Sequence, residues 1–278
     1  MSAGLPEYLE PPVPRGGSLA PAGYTREQVL TGGRAGGRVV RSGRTVRRRI
    51  VANTAFVHEV LTWFSGCGIA RVPRSLGEDD SGRWVLSYVP GRQVALGEVD
   101  GTVAGGLGEL LAEIHAAGTA HEVRTGDEVP WWVRTGPEAG DGAGDVWGPV
   151  GVVHGDAGIW NVVVEDGQVG LVDWECCHVG LWWWELALAA VSLVDPGDRV
   201  RSLDRVRSLV DGYGLDDAGR ASLGELAVWR ARAAQEVIDA GAAAGEEPWV
   251  SMRAEGMGAW WWSVGQACSD WDVGGRWA

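Results

Sequence analysis

Residues 152–174 read Val152-Val153-His154-Gly155-Asp156-Ala157-Gly158-Ile159-Trp160-Asn161-Val162-Val163-Val164-Glu165-Asp166-Gly167-Gln168-Val169-Gly170-Leu171-Val172-Asp173-Trp174. An apolar strand end leads into a polar turn that holds His154, Asp156 and Asn161. A short valine strand, Val162 to Val164, then meets a Glu-Asp-Gly turn, and a second strand runs back to Asp173. Asp-Gly between two apolar runs is a strong local hairpin signal, because both central residues of the favoured turn need positive φ. The hairpin therefore returns Asp173 to the end that carries Asp156 and Asn161. Two carboxylates and a carboxamide converging on one small volume offer hard oxygen donors, which suit magnesium better than zinc.

The surrounding chain sets the context. It has 278 residues, enough for one large domain or two modest lobes with ample core. There is no long uncharged apolar run and no apolar signal core near the start, so the reading is a soluble, cytoplasmic protein without a membrane partner. The cysteines, Cys67, Cys176, Cys177 and Cys268, have neither disulfide-scaffold nor paired metal-ligand spacing. Every basic residue is arginine. Net charge is −13, but residues 1–95 carry +6 and residues 96–278 carry −19. A basic first part suits a polyphosphate, and an acidic second part suits a cationic substrate or simply solubility. So acidic a chain is a poor candidate for nucleic-acid binding.

Residues 1–23 are rich in proline and glycine and read as an extended arm. From Gln28 the pattern is that of a small antiparallel sheet: Gln28–Thr31, then Arg38–Arg41, then Thr45–Ile50. Gly32 and Gly33 open the glycine-rich connection between the first two strands, where backbone N–H groups can approach phosphate oxygens. A plain flexible loop explains those glycines equally well. A helix over 53–65, two strands near 74–77 and 83–88, and the breaker Val89-Pro90-Gly91 follow. Helices are expected over 102–117, 198–213, 219–241 and 249–267.

The loop His154-Gly155-Asp156-x-x-x-x-Asn161, its hairpin and the return Val172-Asp173-Trp174 resemble the aminoglycoside phosphotransferase and choline kinase group of protein-kinase-like enzymes. Leu111-Ala112-Glu113-Ile114-His115 resembles the helix that precedes the catalytic loop in that family, and Glu185-Leu186-Ala187 resembles its Asp-Leu-Ala helix start. The family's Gly-Asp-Pro turn is replaced here by Val179-Gly180-Leu181. The resemblance implies an α+β, two-lobed kinase fold: a nucleotide-binding lobe over 24–91 with a small antiparallel sheet, and a larger, mainly helical lobe over 92–278.

The implied activity is transfer of the γ-phosphate of ATP or GTP, with Mg2+, to a hydroxyl of a small, polar or cationic acceptor such as an aminoglycoside. Asp156 is the expected base, Asn161 and Asp173 the metal ligands, and His154 a prop for the loop. Ser87 and Val89 lie where backbone would meet the base. With no lysine available, Arg47 or Arg48 must grip phosphate, and strand alternation lets only one of them face the cleft. His115 reads as a packed helix-end residue. Trp131, Trp132 and Trp260 to Trp262 are core or packing candidates that could instead line an acceptor pocket. The protein is expected to be a monomer or weak dimer. A nucleotide-binding relic without activity and a magnesium-dependent hydrolase are the competing readings. The latter lacks the second carboxylate cluster that a two-metal site needs.

Overall fold

The computed structural model describes residues 27–30, 39–119 and 148–269. The arm over 1–23, the Gly32-Gly33 connection, and Trp131 and Trp132 lie outside these residues. Short β-branched runs build the first layer: β1 (Gln28–Leu30), β2 (Val39–Ser42), β3 (Thr45–Arg48), β4 (Ser75–Glu78) and β5 (Trp84–Ser87). They form one antiparallel sheet in the order β1-β2-β3-β5-β4, with Val46 opposite Leu86 and Arg48 opposite Trp84. The third strand stops at Arg48, two residues short of the expected Ile50.

Helix α1 (Thr54–Gly66) buries Phe56, Val57, Val60, Leu61 and Phe64 in the same core cluster as Trp84 and Leu86 of β5. Burying such side chains contributes about 1.5–3 kcal/mol each before entropy is counted. Asn53 occupies the N-cap position yet makes no side-chain cap. Its amide instead donates to the carbonyls of Glu175 and Cys177, at 3.2 and 2.7 Å. A local helix-end hydrogen bond is thus replaced by one that ties α1 to the segment following Asp173.

The second part begins with β6 (Arg92–Gln93) and α2 (Gly101–Thr119). Then come β7 (Val150–Val153), β8 (Val162–Glu165), β9 (Gln168–Leu171) and β10 (His178–Leu181). β6, β8 and β9 make one antiparallel sheet, and β7 pairs with β10 in another. The β8–β9 turn has φ of 50° at Asp166 and 76° at Gly167, the double positive φ that the Asp-Gly pair signals. Helices α3 (Trp182–Ser192), α4 (Arg199–Tyr213), α5 (Asp217–Ala243), α6 (Trp249–Ala254) and α7 (Met257–Ser269) complete the chain.

Asp198 and Asp216 cap α4 and α5 by accepting from Arg201 and Gly219 backbone N–H groups, at 3.1 and 2.8 Å. The single helix expected over 249–267 is broken into α6 and α7 at Gly256, whose φ of 84° lies outside helical geometry. A small antiparallel-sheet lobe and a larger helical lobe together define the two-lobed protein-kinase-like fold. Among the described residues no helix is long and apolar enough to cross a membrane.

Candidate active site

The loop between β7 and β8 owes its shape to Gly155, whose φ is 84°. A Cβ there would overlap the carbonyl oxygen of Cys176, so both the conformation and the space demand glycine. Glu185, one turn into α3, closes the loop from below. Its carboxylate accepts the backbone N–H groups of His154 at 3.1 Å and Gly155 at 2.6 Å. The same carboxylate accepts from His115 Nε2 at 2.9 Å, and His115 Nδ1 lies 2.8 Å from the Tyr213 hydroxyl.

Burial opposes ionisation of Glu185, but His115, His154 and the Gly155 N–H outweigh it and hold the carboxyl below its ordinary range. His115 is thus fixed within a buried chain that ends on the loop backbone. His154 is fully buried between strands. Its Nε2 lies 2.9 Å from the Val172 carbonyl and its Nδ1 3.2 Å from the Asp156 amide, which assigns the proton to Nε2. Burial pushes the imidazole below its usual pKa, so the ring is neutral. Its edge-to-face contact with Trp174, at 4.6 Å between centroids, joins the two limbs of the site.

Asp156 is half-buried and faces several donors. Trp160 Nε1 reaches both carboxylate oxygens at 3.1 Å, and Asn161 Nδ2 donates to Oδ2 at 2.9 Å and to the Asp156 carbonyl at 2.8 Å. Desolvation nevertheless dominates, aided by the nearby Asp173 charge, and pushes the carboxyl up to about 7. A carboxylate poised near neutrality is matched to accepting a hydroxyl proton.

β8 and β9 return Asp173 beside Asn161: Val162 pairs with Leu171, and the Val172 amide donates to the Asn161 carbonyl at 2.9 Å. Asp173 has φ of 68°, a left-handed conformation that costs an aspartate about 1 kcal/mol and that surrounding structure must impose. Among the described residues, Asn161 Oδ1 and Asp173 Oδ2 have no hydrogen-bond donor, which leaves two hard oxygens uncommitted. That donor set fits magnesium, whose other positions are ordinarily taken by phosphate and water. Among the described residues no cluster of three or more His, Cys, Asp or Glu could hold a metal alone. Cys176 and Cys177 are buried thiols pushed well above their ordinary pKa by desolvation.

Alternation along β3 separates the two arginines. Arg47 hydrogen-bonds Thr45 Oγ1 at 2.7 Å and lies 3.3 Å from Asp79. Arg48 is buried and reaches across to Asp173 at 2.9 Å and Glu175 at 2.5 Å. Burial works against its charge, but the two acids more than offset that and raise its pKa. The acid beside Arg48 other than Asp173 is Glu175, two residues further along the chain; on α1, Val57 is core and Glu59 is exposed. At the end of β5, the Ser87 amide and hydroxyl are both engaged by Arg74, at 2.9 and 2.8 Å. Val89 keeps its backbone N–H and C=O uncommitted among the described residues.

Three participants were not legible beforehand. Glu175 and Trp160 could have been flagged by their places two residues after Asp173 and one before Asn161. Arg230, on α5, had no local signal. It faces the Trp184 ring at 5.1 Å and acts electrostatically on Asp156 and Glu185.

The fold brings Asp156, Asn161, Asp173 and Arg48 together through the Asn161–Asp156 and Arg48–Asp173 contacts. The chain belongs to the APH phosphotransferase enzyme family, whose model matches residues 17–226. No curated protein sequence matches it. Among solved structures, a choline/ethanolamine kinase family protein from Mesorhizobium loti matches with TM-score 0.62 at 17% identity, covering 90% of each chain. An amicoumacin kinase in complex with AMP-PNP, Ca2+ and Ami matches with TM-score 0.66 at 15% identity, covering 89% of this chain and 90% of that one. Choline kinase from Cryptosporidium parvum Iowa II matches with TM-score 0.62 at 7% identity, covering 90% and 91%. At such identities the likeness is one of fold.

Proposed function

We propose that the protein transfers the γ-phosphate of ATP or GTP, with Mg2+, to a hydroxyl group of a small acceptor. The observation that carries this reading is the convergence of side chains: Trp160 and Asn161 hold the Asp156 carboxylate, and the β8–β9 pairing returns Asp173 beside Asn161. In the proposed division of labour, 24–91 binds nucleotide and 92–278 carries the catalytic loop and acceptor site.

Asp156 orients the acceptor hydroxyl and takes its proton, a positioning and proton-transfer role typical of phosphoryl transfer. Asn161 and Asp173 would hold the metal, which when bound neutralises phosphate charge. Arg48 is the phosphate-gripping arginine, oriented by Glu175. Its planar fork can engage two phosphate oxygens at once, and it would have to share or release Asp173 when metal and nucleotide enter. Val89 supplies the uncommitted backbone edge for the nucleotide base. Gly32 and Gly33 are assigned to phosphate by the sequence pattern alone. His154 and Glu185 hold the loop and do not carry protons in this scheme.

Aminoglycosides are one acceptor class for this family, alongside choline-like alcohols and sugars, and the fold does not choose among them. A coupled ADP-release assay across such a panel, run on the wild type and Asp156→Asn, tests the reading. Turnover that falls by at least 100-fold in the variant while Mg2+-ATP still binds supports the assigned base. Undiminished turnover in the variant removes it.

A further inference from the structure

Glu185 holds the catalytic loop by two backbone N–H groups, and what holds Glu185 comes from two other helices. The imidazole of His115, buried on α2, stacks on Trp182 at 5.0 Å between centroids. Both of its nitrogens are engaged: Nε2 lies 2.9 Å from Glu185 Oε2, and Nδ1 lies 2.8 Å from the Tyr213 hydroxyl. Glu185, held below its ordinary range, is an ionised carboxylate that can only accept, so Nε2 carries a proton. Burial and the nearby Glu185 charge push the Tyr213 phenol up, so it keeps its proton and donates it to Nδ1. The donors run in one direction: Tyr213 to His115, His115 to Glu185, with the His154 and Gly155 amides meeting the same carboxylate from the other side.

Tyr213 reaches His115 because α2 and α4 close to backbone contact. A Cβ on Gly108 would overlap the Leu209 carbonyl, and one on Gly212 would overlap the Gly105 carbonyl. Tyr213 is the last residue of α4, and Gly214, with φ of 75°, turns the chain away behind it. A neutral imidazole has two tautomers, and only one offers Glu185 a donor. The other would turn the Nε2 lone pair toward the carboxylate. Donation from Tyr213 selects the first, because a bare Nδ1 without a donor is a buried acceptor left unsatisfied.

We propose that Tyr213 is a positioning residue for phosphoryl transfer: its hydroxyl fixes the tautomer of His115, and through Glu185 that ring fixes the His154-Gly155 backbone from which Asp156 projects. This rests on the phosphotransferase reading and adds to it a residue outside the motifs around the loop. A tyrosine that merely filled the seam between α2 and α4 would need only its ring, which phenylalanine supplies equally.

Tyr213→Phe therefore removes the proposed function and keeps the packing. Leu209→Val, one turn earlier on α4, is the converse control: it trims a fully buried side chain and leaves the hydroxyl in place. Three readouts are taken on the full chain at about pH 8, where an ordinary imidazole is neutral. They are the ring 15N shifts of His115, the amide proton shift and hydrogen exchange of Gly155, and ADP release from Mg2+-ATP with water as the acceptor.

In wild type, Nε2 of His115 should be protonated and Nδ1 bare; the opposite tautomer, or an imidazolium, overturns the proposal without any variant. The 2.6 Å bond to Glu185 should place the Gly155 amide proton far downfield. In Tyr213→Phe that proton should move upfield and exchange about 10-fold faster relative to the amides of α2, the loss expected for one hydrogen bond. The kcat for ADP release should fall by about the same factor, with KM for ATP within about twofold. Leu209→Val should leave the Gly155 shift in place. A Gly155 signal or a kcat unchanged in Tyr213→Phe, or a Gly155 shift moved as far by Leu209→Val, overturns the assignment. If wild type releases no ADP, the phosphotransferase reading fails, while the His115 and Gly155 signals still decide whether Tyr213 sets the loop.

Discussion

Replacing Asp156 with asparagine removes a charge that the folded protein tolerates poorly and that the proposed chemistry requires. The carboxyl moves from an ordinary 3.8 to about 7, chiefly through desolvation, and the nearby Asp173 adds to the shift. A pKa raised on folding means that ionisation costs stability. The cost is absent below the unfolded value, grows as pH rises, and is complete above the folded value near 7. A shift of roughly 3 units corresponds to a ceiling of about 4 kcal/mol. Asp156 is only half-buried, and solvent screening reduces the expected figure to about 2 kcal/mol.

Asparagine can keep most of the existing hydrogen bonds. Its oxygen, placed at the Oδ2 position, still accepts from Asn161 and Trp160, and only the second branch of the Trp160 bond is lost. Asp156→Asn should therefore be about 2 kcal/mol more stable than wild type at pH 8.5, with about a quarter of that gain left at pH 4. Urea unfolding followed by tryptophan fluorescence at both pH values measures it. A variant no more stable than wild type at pH 8.5, or a gain that does not shrink on acidification, refutes the desolvated-carboxylate reasoning.

Removing Arg48 leaves Asp173 and Glu175 adjacent and uncompensated. Arg48→Met should cost about 3 kcal/mol in denaturant unfolding and weaken Mg2+-ATP binding in calorimetry. Glu185→Gln keeps one acceptor for the two loop amides and loses the charge that those amides and His115 Nε2 favour. It should cost about 2 kcal/mol near pH 7. Because the Glu185 pKa is lowered on folding, its stabilisation is present above the ordinary carboxylate value and lost as pH falls through the depressed one. The difference from wild type should thus close in acid unfolding experiments. Trp160→Phe deletes a donor to the Asp156 carboxylate, so the acid limb of the kcat/KM profile should move above 7 by about half a unit; a downward shift contradicts the assigned hydrogen bond.

What the sequence disclosed and what it withheld divide along the range of the interactions. The β8–β9 hairpin was readable because its signals are local: an Asp-Gly turn with both φ values positive, and valines that pair across it. The convergence of Asn161 and Asp173 follows from that pairing. Strand alternation predicted that Arg47 and Arg48 would part, but not which one would face the site; the register of β3 against β5 and the position of Asp79 decide that. Asn53 shows a local rule overridden, its amide drawn to two carbonyls more than 100 residues away in sequence. Arg230 and the chain from Tyr213 through His115 to Glu185 are tertiary constructions, joined by helix packing that no single stretch of sequence encodes. The break at Gly256 was missed because glycine lowers helix propensity without forbidding the helix.

The central claim is that Asp173 and Asn161 hold a metal–nucleotide complex beside Asp156. Calorimetric titration of Mg2+-ATP into wild type and Asp173→Ala tests it most directly, with a magnesium-free titration alongside. The account predicts saturable, magnesium-dependent binding to wild type that weakens at least 10-fold in the variant. No binding to wild type, or equal binding to both proteins, would contradict it.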